Sequence, residues 1–205
     1  MLRPYQEIIF QHQLANPRCN VWSFMGSGKT LATLTLLNYL YDCGFESKPT
    51  LVLAPLRVAR SVWPNEIKKW KHLDLSVSAI VGTEAERKRA LMRDAPVYTI
   101  NYENIPWLTD QLKGKWKFGA AVADESTKLK GHRLNSGGLR AGALAKVAHN
   151  TPRWINLTGT PSPNGLIDLW GQQWFVDQGA RLGKTFTAFK ERWFYPHPSG
   201  YGVKA

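Results

Sequence analysis

The chain has 205 residues, enough for one full α/β domain and too few for two of that kind. Its hydrophobic fraction of 43% and charged fraction of 20% are those of a soluble globular protein, and no apolar run reaches the roughly 18–20 residues of a membrane span. A formal net charge of +12 favours a polyanionic partner, nucleic acid first. Met1-Leu2-Arg3-Pro4 has no signal-peptide core, so no export is expected. Cys19 and Cys43 are scattered, as are the five histidines, so reduced thiols and no metal site built from protein side chains are expected.

Taken in order, the chain opens with a helix in which Pro4 suits the first turn and Ile8, Ile9 and Leu14 form the apolar side. The amide of Gln6 carries both a donor and an acceptor and so matches the edge of an adenine ring. An apolar run at 21–24 reads as a strand, and 31–40 as a helix. Between them lies Met25-Gly26-Ser27-Gly28-Lys29-Thr30. Strand, glycine-rich turn and helix make a phosphate cradle: backbone N–H groups and the helix dipole face phosphate oxygens. Lys29 is expected to reach the β and γ phosphates and the Thr30 hydroxyl to hold Mg²⁺. The strict pattern has glycine where this chain has Ser23.

Residues 50–54 form a continuous apolar run, as a buried parallel strand requires. A basic segment follows with Arg57, Arg60, Lys68, Lys69 and Lys71, in which Val58, Val62, Ile67 and Trp70 recur at helical spacing and Pro64 breaks or restarts the helix. Further strands are expected at 75–81, 96–101, 118–123 and 153–157, and helices at 84–93, 139–148 and 186–194. A short helix is expected through Trp107 and Leu112, and an aromatic one at 166–176. A loop at 136–138 and a Pro/Gly-rich linker at 195–202 complete the reading. Strands alternating with helices predict an α/β fold, a mostly parallel sheet covered on both faces.

The fifth strand delivers Asp124 and Glu125 to the sheet edge where open α/β sheets bind ligands. Asp124 is expected to hold Mg²⁺ with Thr30, and Glu125 to orient and deprotonate the water that attacks the γ-phosphate. The bland alternative, an acid pair capping the next helix, does not account for the phosphate loop that accompanies it.

Together these motifs resemble the superfamily 2 helicases and translocases, and within them the Snf2-like branch. Leu2-Arg3-Pro4-Tyr5-Gln6 resembles the adenine-reading Q motif, and residues 25–30 resemble motif I. Ala54-Pro55 with the basic helix after it is similar to motif Ia. Asp124-Glu125-Ser126-Thr127 resembles the Asp-Glu-x-His motif II, with Thr127 where His is frequent. Leu157-Thr158-Gly159-Thr160-Pro161 resembles motif III, which couples the nucleotide site to DNA contacts. The likeness runs over residues 2 to about 164 and is nearest to phage-encoded members. It implies a RecA-like lobe at 1–164 and a helical extension and linker at 165–205. It also implies ATP and Mg²⁺ as cofactors, and a cytoplasmic location in a bacterial or phage-infected cell. The partner is expected to be DNA, double-stranded favoured and RNA not set aside, with Arg57, Arg60, Lys128, Lys130 and Arg133 as candidate contacts.

Nothing after Asn164 resembles the motifs of the family's second lobe, which carries the arginine fingers. The chain is therefore expected to be the first lobe alone, binding ATP with weak or no turnover, and a second lobe is expected on another chain or a longer parent. A non-catalytic DNA- or protein-binding module on the same fold is the competing reading. A small-molecule kinase fits the Asp-Glu pair and the charge poorly.

Overall fold

The computed structural model describes residues 2–133, 138–196 and 203–204. Of the expected loop at 136–138 only Gly138 falls within them, and the expected linker at 195–202 lies outside them except for Tyr195 and Pro196.

Six strands form one parallel sheet: β1 (Arg18–Trp22), β2 (Thr50–Ala54), β3 (Val77–Ile80), β4 (Val97–Asn101), β5 (Ala120–Asp124) and β6 (Arg153–Thr158). Their order is β1-β6-β5-β2-β4-β3. Because side chains alternate across a strand, each buried strand feeds two cores. Leu51, Leu53, Ala121 and Ala123 face one, with Tyr98, Trp154 and Phe175; Val52 and Val122 face the other, with Val21, Leu34 and Ile155. This is why β2 and β4 read as unbroken apolar runs rather than alternating ones. β5 sits between β6 and β2, and its small Ala-Ala-Val-Ala sequence fits that crowded place.

Among the described residues there are eight α-helices: α1 (Pro4–Ala15), α2 (Lys29–Asp42), α3 (Trp63–Lys69), α4 (Glu84–Met92), α5 (Ile105–Leu112), α6 (Leu139–Ala148), α7 (Leu169–Asp177) and α8 (Phe186–Trp193), the last packed on α7. A short antiparallel pair, β7 (Tyr195–Pro196) with β8 (Val203–Lys204), stands apart from the sheet. No helix among the described residues is long and apolar enough to cross a membrane. Cys19 is buried and Cys43 exposed, both as free thiols.

Three local expectations are corrected. In α1, Ile8 is 70% exposed while Gln6 and Gln13 are buried with Ile9, because the Gln13 amide donates to the Thr33 hydroxyl of α2 at 2.9 Å. The first strand starts earlier and ends earlier than the apolar run: Arg18 to Trp22 pair with Trp154 to Thr158, and Ser23 and Phe24 already belong to the turn. In the basic segment the helix restarts at Trp63-Pro64, as expected, but the stretch before it is not α-helical. Val58–Val62 forms a π turn before α3. The buried Thr99 hydroxyl takes the Ala59 carbonyl at 2.7 Å, so the Trp63 N–H reaches back five residues to Val58, and Pro64 has no N–H for Arg60. The extra residue in the turn changes the phase, so that Trp63 is fully buried and Val62 is 39% exposed.

Candidate nucleotide site

The loops leaving β1, β6 and β5 emerge side by side, because those strands are neighbours in a parallel sheet. This brings residues 23–30, 124–130 and 158–164 to one edge. After β1 the backbone turns through two left-handed glycines, Gly26 at φ +79° and Gly28 at φ +74°, and α2 begins at Lys29. A side chain at Gly28 would put its Cβ 2.0 Å from Gln6 Nε2, so the glycine is what lets the amide of α1 lie against the turn. Gln6 Oε1 accepts the Arg3 N–H at 2.9 Å and closes the N-terminal cap of α1. Tyr5 and Phe24 lie beside one another with ring centres 6.5 Å apart. Met25 is exposed, and its backbone meets motif III: a Cβ on Gly159 would lie 3.1 Å from Met25 Cγ and 3.4 Å from its nitrogen.

Lys29 donates to two loop carbonyls, Ser23 at 2.6 Å and Phe24 at 2.9 Å. Partial burial lowers its pKa, opposed by the negative charges of Asp124 and Glu125. Ser27 is fully buried with a hydroxyl that has no partner among the described residues, which fits a turn that receives a polar group. A cleft of about 320 Å³ adjoins the turn, lined by Gln6, Gly28, Thr30, Glu66 and Trp70. The donor set fits a nucleotide and its metal: backbone N–H groups, one ammonium, one hydroxyl and one carboxylate. Mg²⁺ is commonly held by one or two carboxylates together with phosphates and water.

Asp124 ends β5 half-buried. Its Oδ2 accepts the indole N–H of Trp63 at 2.8 Å and its Oδ1 the N–H of Glu125 at 3.1 Å. Burial raises its pKa, and the Trp63 bond offsets part of the rise. The Asp124 carbonyl accepts the Tyr102 hydroxyl at 2.8 Å; Tyr102 is buried beside the carboxylates and its own pKa is driven well up by burial. Glu125 adopts a left-handed backbone at φ +57°, an uncommon conformation for a non-glycine residue that turns the chain sharply off the strand. The next residue, Ser126, is fully buried.

Thr158 is buried at the end of β6, where its carbonyl accepts the Ser23 N–H at 3.2 Å and its hydroxyl the Thr160 N–H at 3.1 Å. The loop after β6 and the glycine turn after β1 are thus in direct contact. Of the candidate nucleic-acid contacts, Arg57, Arg60 and Lys128 are exposed, and none joins an ion pair among the described residues. Lys130 pairs with Asp168 at 3.2 Å, and Arg133 lies over the Phe186 ring at 3.4 Å.

Sequence reasoning missed Trp63, Tyr102 and Gln172. Gln172 on α7 accepts the Ser126 hydroxyl and donates to Pro161, tying the loops after β5 and β6 together. Only an indole or phenol near a sheet edge could have marked the first two. Nothing in the pattern around Gln172 marks it.

The comparisons with known proteins agree with this geometry. The sequence profile of the SNF2-related domain matches residues 23–195. The chain is 59% identical over 195 residues to the p41 protein of Acyrthosiphon pisum secondary endosymbiont phage 1, covering 94% of this chain and 42% of that protein. It is 33% identical over 201 residues to the DNA repair and recombination protein RAD54-like of Gallus gallus, covering 91% of this chain and 26% of the relative. Among solved structures it is similar to the Sulfolobus solfataricus SWI2/SNF2 ATPase core in complex with dsDNA, with a TM-score of 0.68 and 28% identity over 93% of this chain and 38% of that one. The UvsW helicase from Bacteriophage T4 shares the fold, with a TM-score of 0.60 and 16% identity over 85% of this chain and 57% of that one. The chain therefore spans less than half the length of the curated relatives it matches. With its RecA-like sheet and its ordered motifs at one edge, it belongs to the SNF2-related domain family, the Snf2-type branch of the helicase and translocase ATPases.

Proposed function

We propose that these residues form the ATP-binding lobe of a DNA-dependent ATPase, in which Mg-ATP hydrolysis is coupled to DNA binding or translocation. The observation that carries the reading is the meeting of three loops at one sheet edge: the glycine turn with Lys29 and Thr30, the Asp124-Glu125 pair, and Thr158-Gly159-Thr160. The N–H groups of residues 26–30 receive phosphate oxygens, and Lys29 exchanges its two carbonyl partners for phosphate. Tyr5 and Gln6 border the base, while the Thr30 hydroxyl and the Asp124 carboxylate hold the metal. Bound Mg-ATP supplies the transferable phosphoryl group and the neutralisation of its developing charge. Glu125 accepts the proton of the attacking water, and Thr158 and Thr160 report the state of the loop to the DNA side.

Duplex DNA is the favoured partner, since the net charge is +12 and the related SWI2/SNF2 ATPase core is described in complex with dsDNA. Arg57, Arg60 and Lys128 are the contacts with charge to spare; Lys130 and Arg133 are engaged with Asp168 and Phe186 of the C-terminal extension. The lobe comprises 1–164, and 165–205 lead toward a second lobe, with α7 anchoring that extension on β1 and β6. Turnover by these residues alone is expected to be weak, because arginine fingers contribute about 10³–10⁵ in rate in related motors.

The test measures ATP binding and hydrolysis with and without single- and double-stranded DNA, with Lys29→Ala alongside. The reading predicts measurable ATP binding, lost in the variant, and little hydrolysis. It also predicts a steep salt dependence of DNA affinity, whose slope drops by about one for each of Arg57→Ala and Arg60→Ala. Robust DNA-stimulated turnover would refute the isolated-lobe part. Unchanged ATP affinity in Lys29→Ala would refute the site.

A further inference from the structure

Trp63 joins two regions that the function requires to communicate. Its ring is fully buried at the start of α3, where an indole N–H needs a partner. It is directed to Oδ2 of Asp124, 2.8 Å away and 61 residues along the chain. The rest of that aspartate is already held: its carbonyl by Tyr102 and its Oδ1 by the Glu125 N–H. The indole bond therefore sets which way the carboxylate plane faces. On its other side, Trp63 closes the π turn Val58–Val62 by donating its backbone N–H to Val58. Arg57 opens that turn and Arg60 lies on it, both exposed. The turn is tied to the sheet through the Thr99–Ala59 bond. π turns inside helices are frequent at functional sites.

We propose that Trp63 is a positioning residue through which the Arg57–Arg60 turn and the Asp124 carboxylate sense one another, a route separate from the Thr158–Thr160 contact. The proposal rests on the reading of these two regions as the DNA-facing turn and the metal-holding carboxylate. Coupling of this kind is reciprocal, so it is visible from either ligand.

The measurement uses the 205-residue chain. ATP affinity is determined with Mg²⁺ and in EDTA, each with and without duplex DNA, for the parent and for Trp63→Phe. The phenyl ring keeps most of the packing and removes the donor. In the variant, ATP affinity in EDTA and DNA affinity without nucleotide are expected to match the parent. The Mg²⁺-dependent gain in ATP affinity is expected to fall about 10-fold, the scale for losing a partner of a metal-holding group. The factor by which DNA shifts Mg-ATP affinity is expected to approach 1. A variant that keeps both the Mg²⁺-dependent gain and the DNA factor of the parent overturns the proposal. The indole ¹⁵N–¹H resonance of Trp63 in the parent gives a second readout that does not depend on the variant folding. It is expected to move on adding Mg-ATP and, separately, on adding DNA; a resonance indifferent to both overturns the proposal. Failure of the parent to bind ATP or DNA at all refutes the functional reading itself and the proposal with it. A parent that binds both while Trp63→Phe changes nothing removes the proposal alone.

Discussion

The side-chain oxygen of Gln172 accepts the hydroxyl of Ser126 at 2.8 Å, and neither residue has any exposed surface. The same amide donates to the Pro161 carbonyl at 2.6 Å and to the Asp168 carbonyl at 3.1 Å, while the Gln172 backbone carbonyl accepts the Asn156 amide at 2.9 Å. One side chain on α7 thereby fixes the distance between the loop after β5 and the loop after β6. Gln172→Leu is apolar and near in size but leaves the buried Ser126 hydroxyl and the partly buried Pro161 carbonyl without this partner. A loss of roughly 2–3 kcal/mol is expected, read as a lower urea midpoint. In the double variant with Ser126→Ala the cost is expected to be less than the sum of the two, because the same bond is removed twice.

Two glycines in helices make a paired test of packing. A Cβ on Gly171 would sit 2.6 Å from the backbone oxygens of both Leu129 and Lys130, which cannot move without shifting the loop that follows Glu125. Gly171→Ala is expected to destabilise by about 1–3 kcal/mol. A Cβ on Gly142 in α6 would meet nothing within 4 Å. Gly142→Ala is expected to stabilise by about 0.5–1 kcal/mol through backbone entropy alone. Thermal melts of the two variants should therefore move in opposite directions.

His132 is buried between Trp170, Trp174 and Phe175 of α7, and neither ring nitrogen has a hydrogen-bond partner among the described residues. Burial, with the neighbouring Arg133 charge, lowers its pKa from 6.5 to about 4. The unfolded chain thus binds the proton more readily than the folded one. Stability is complete above about 6.5 and falls as pH drops toward about 4, the interval between the two values. The expected loss is about 3 kcal/mol across that window. His132→Phe should flatten this part of the urea-midpoint profile, leaving the carboxylate-driven fall at lower pH.

Gly28→Ala tests the approach of α1 to the phosphate turn. The residue needs φ +74°, and a Cβ there would fall 2.0 Å from Gln6 Nε2. The flexible amide can swing away, so the variant is expected to fold with a loss of about 1–2 kcal/mol. Its ATP affinity should fall by at least about 10-fold, since both the turn and the Gln6 amide are displaced. Calorimetric titration with Mg-ATP beside a thermal melt separates the two effects.

The amino-acid sequence by itself determined the order of strands and helices and the motifs that stand at the strand ends. Apolar runs at 50–54 and 118–123, with helical spacing between them, are enough for a parallel sheet, and Gly26 to Thr30, Asp124-Glu125 and Thr158-Gly159-Thr160 are visible as letters at strand ends. These are local properties, since periodicity and turn chemistry depend on residues a few positions apart. The tertiary structure alone decided which polar groups are buried and what satisfies them. Gln13 faces inward because Thr33 is there, Trp63 leaves the helical phase because Thr99 takes the Ala59 carbonyl, and Gln172 is central because Ser126 and Pro161 lie on either side of it. Each of these partners sits on another element, as far as 61 residues away for Trp63 and Asp124. A buried polar group is favourable only when such a partner is present, and apolar patterning carries no record of it.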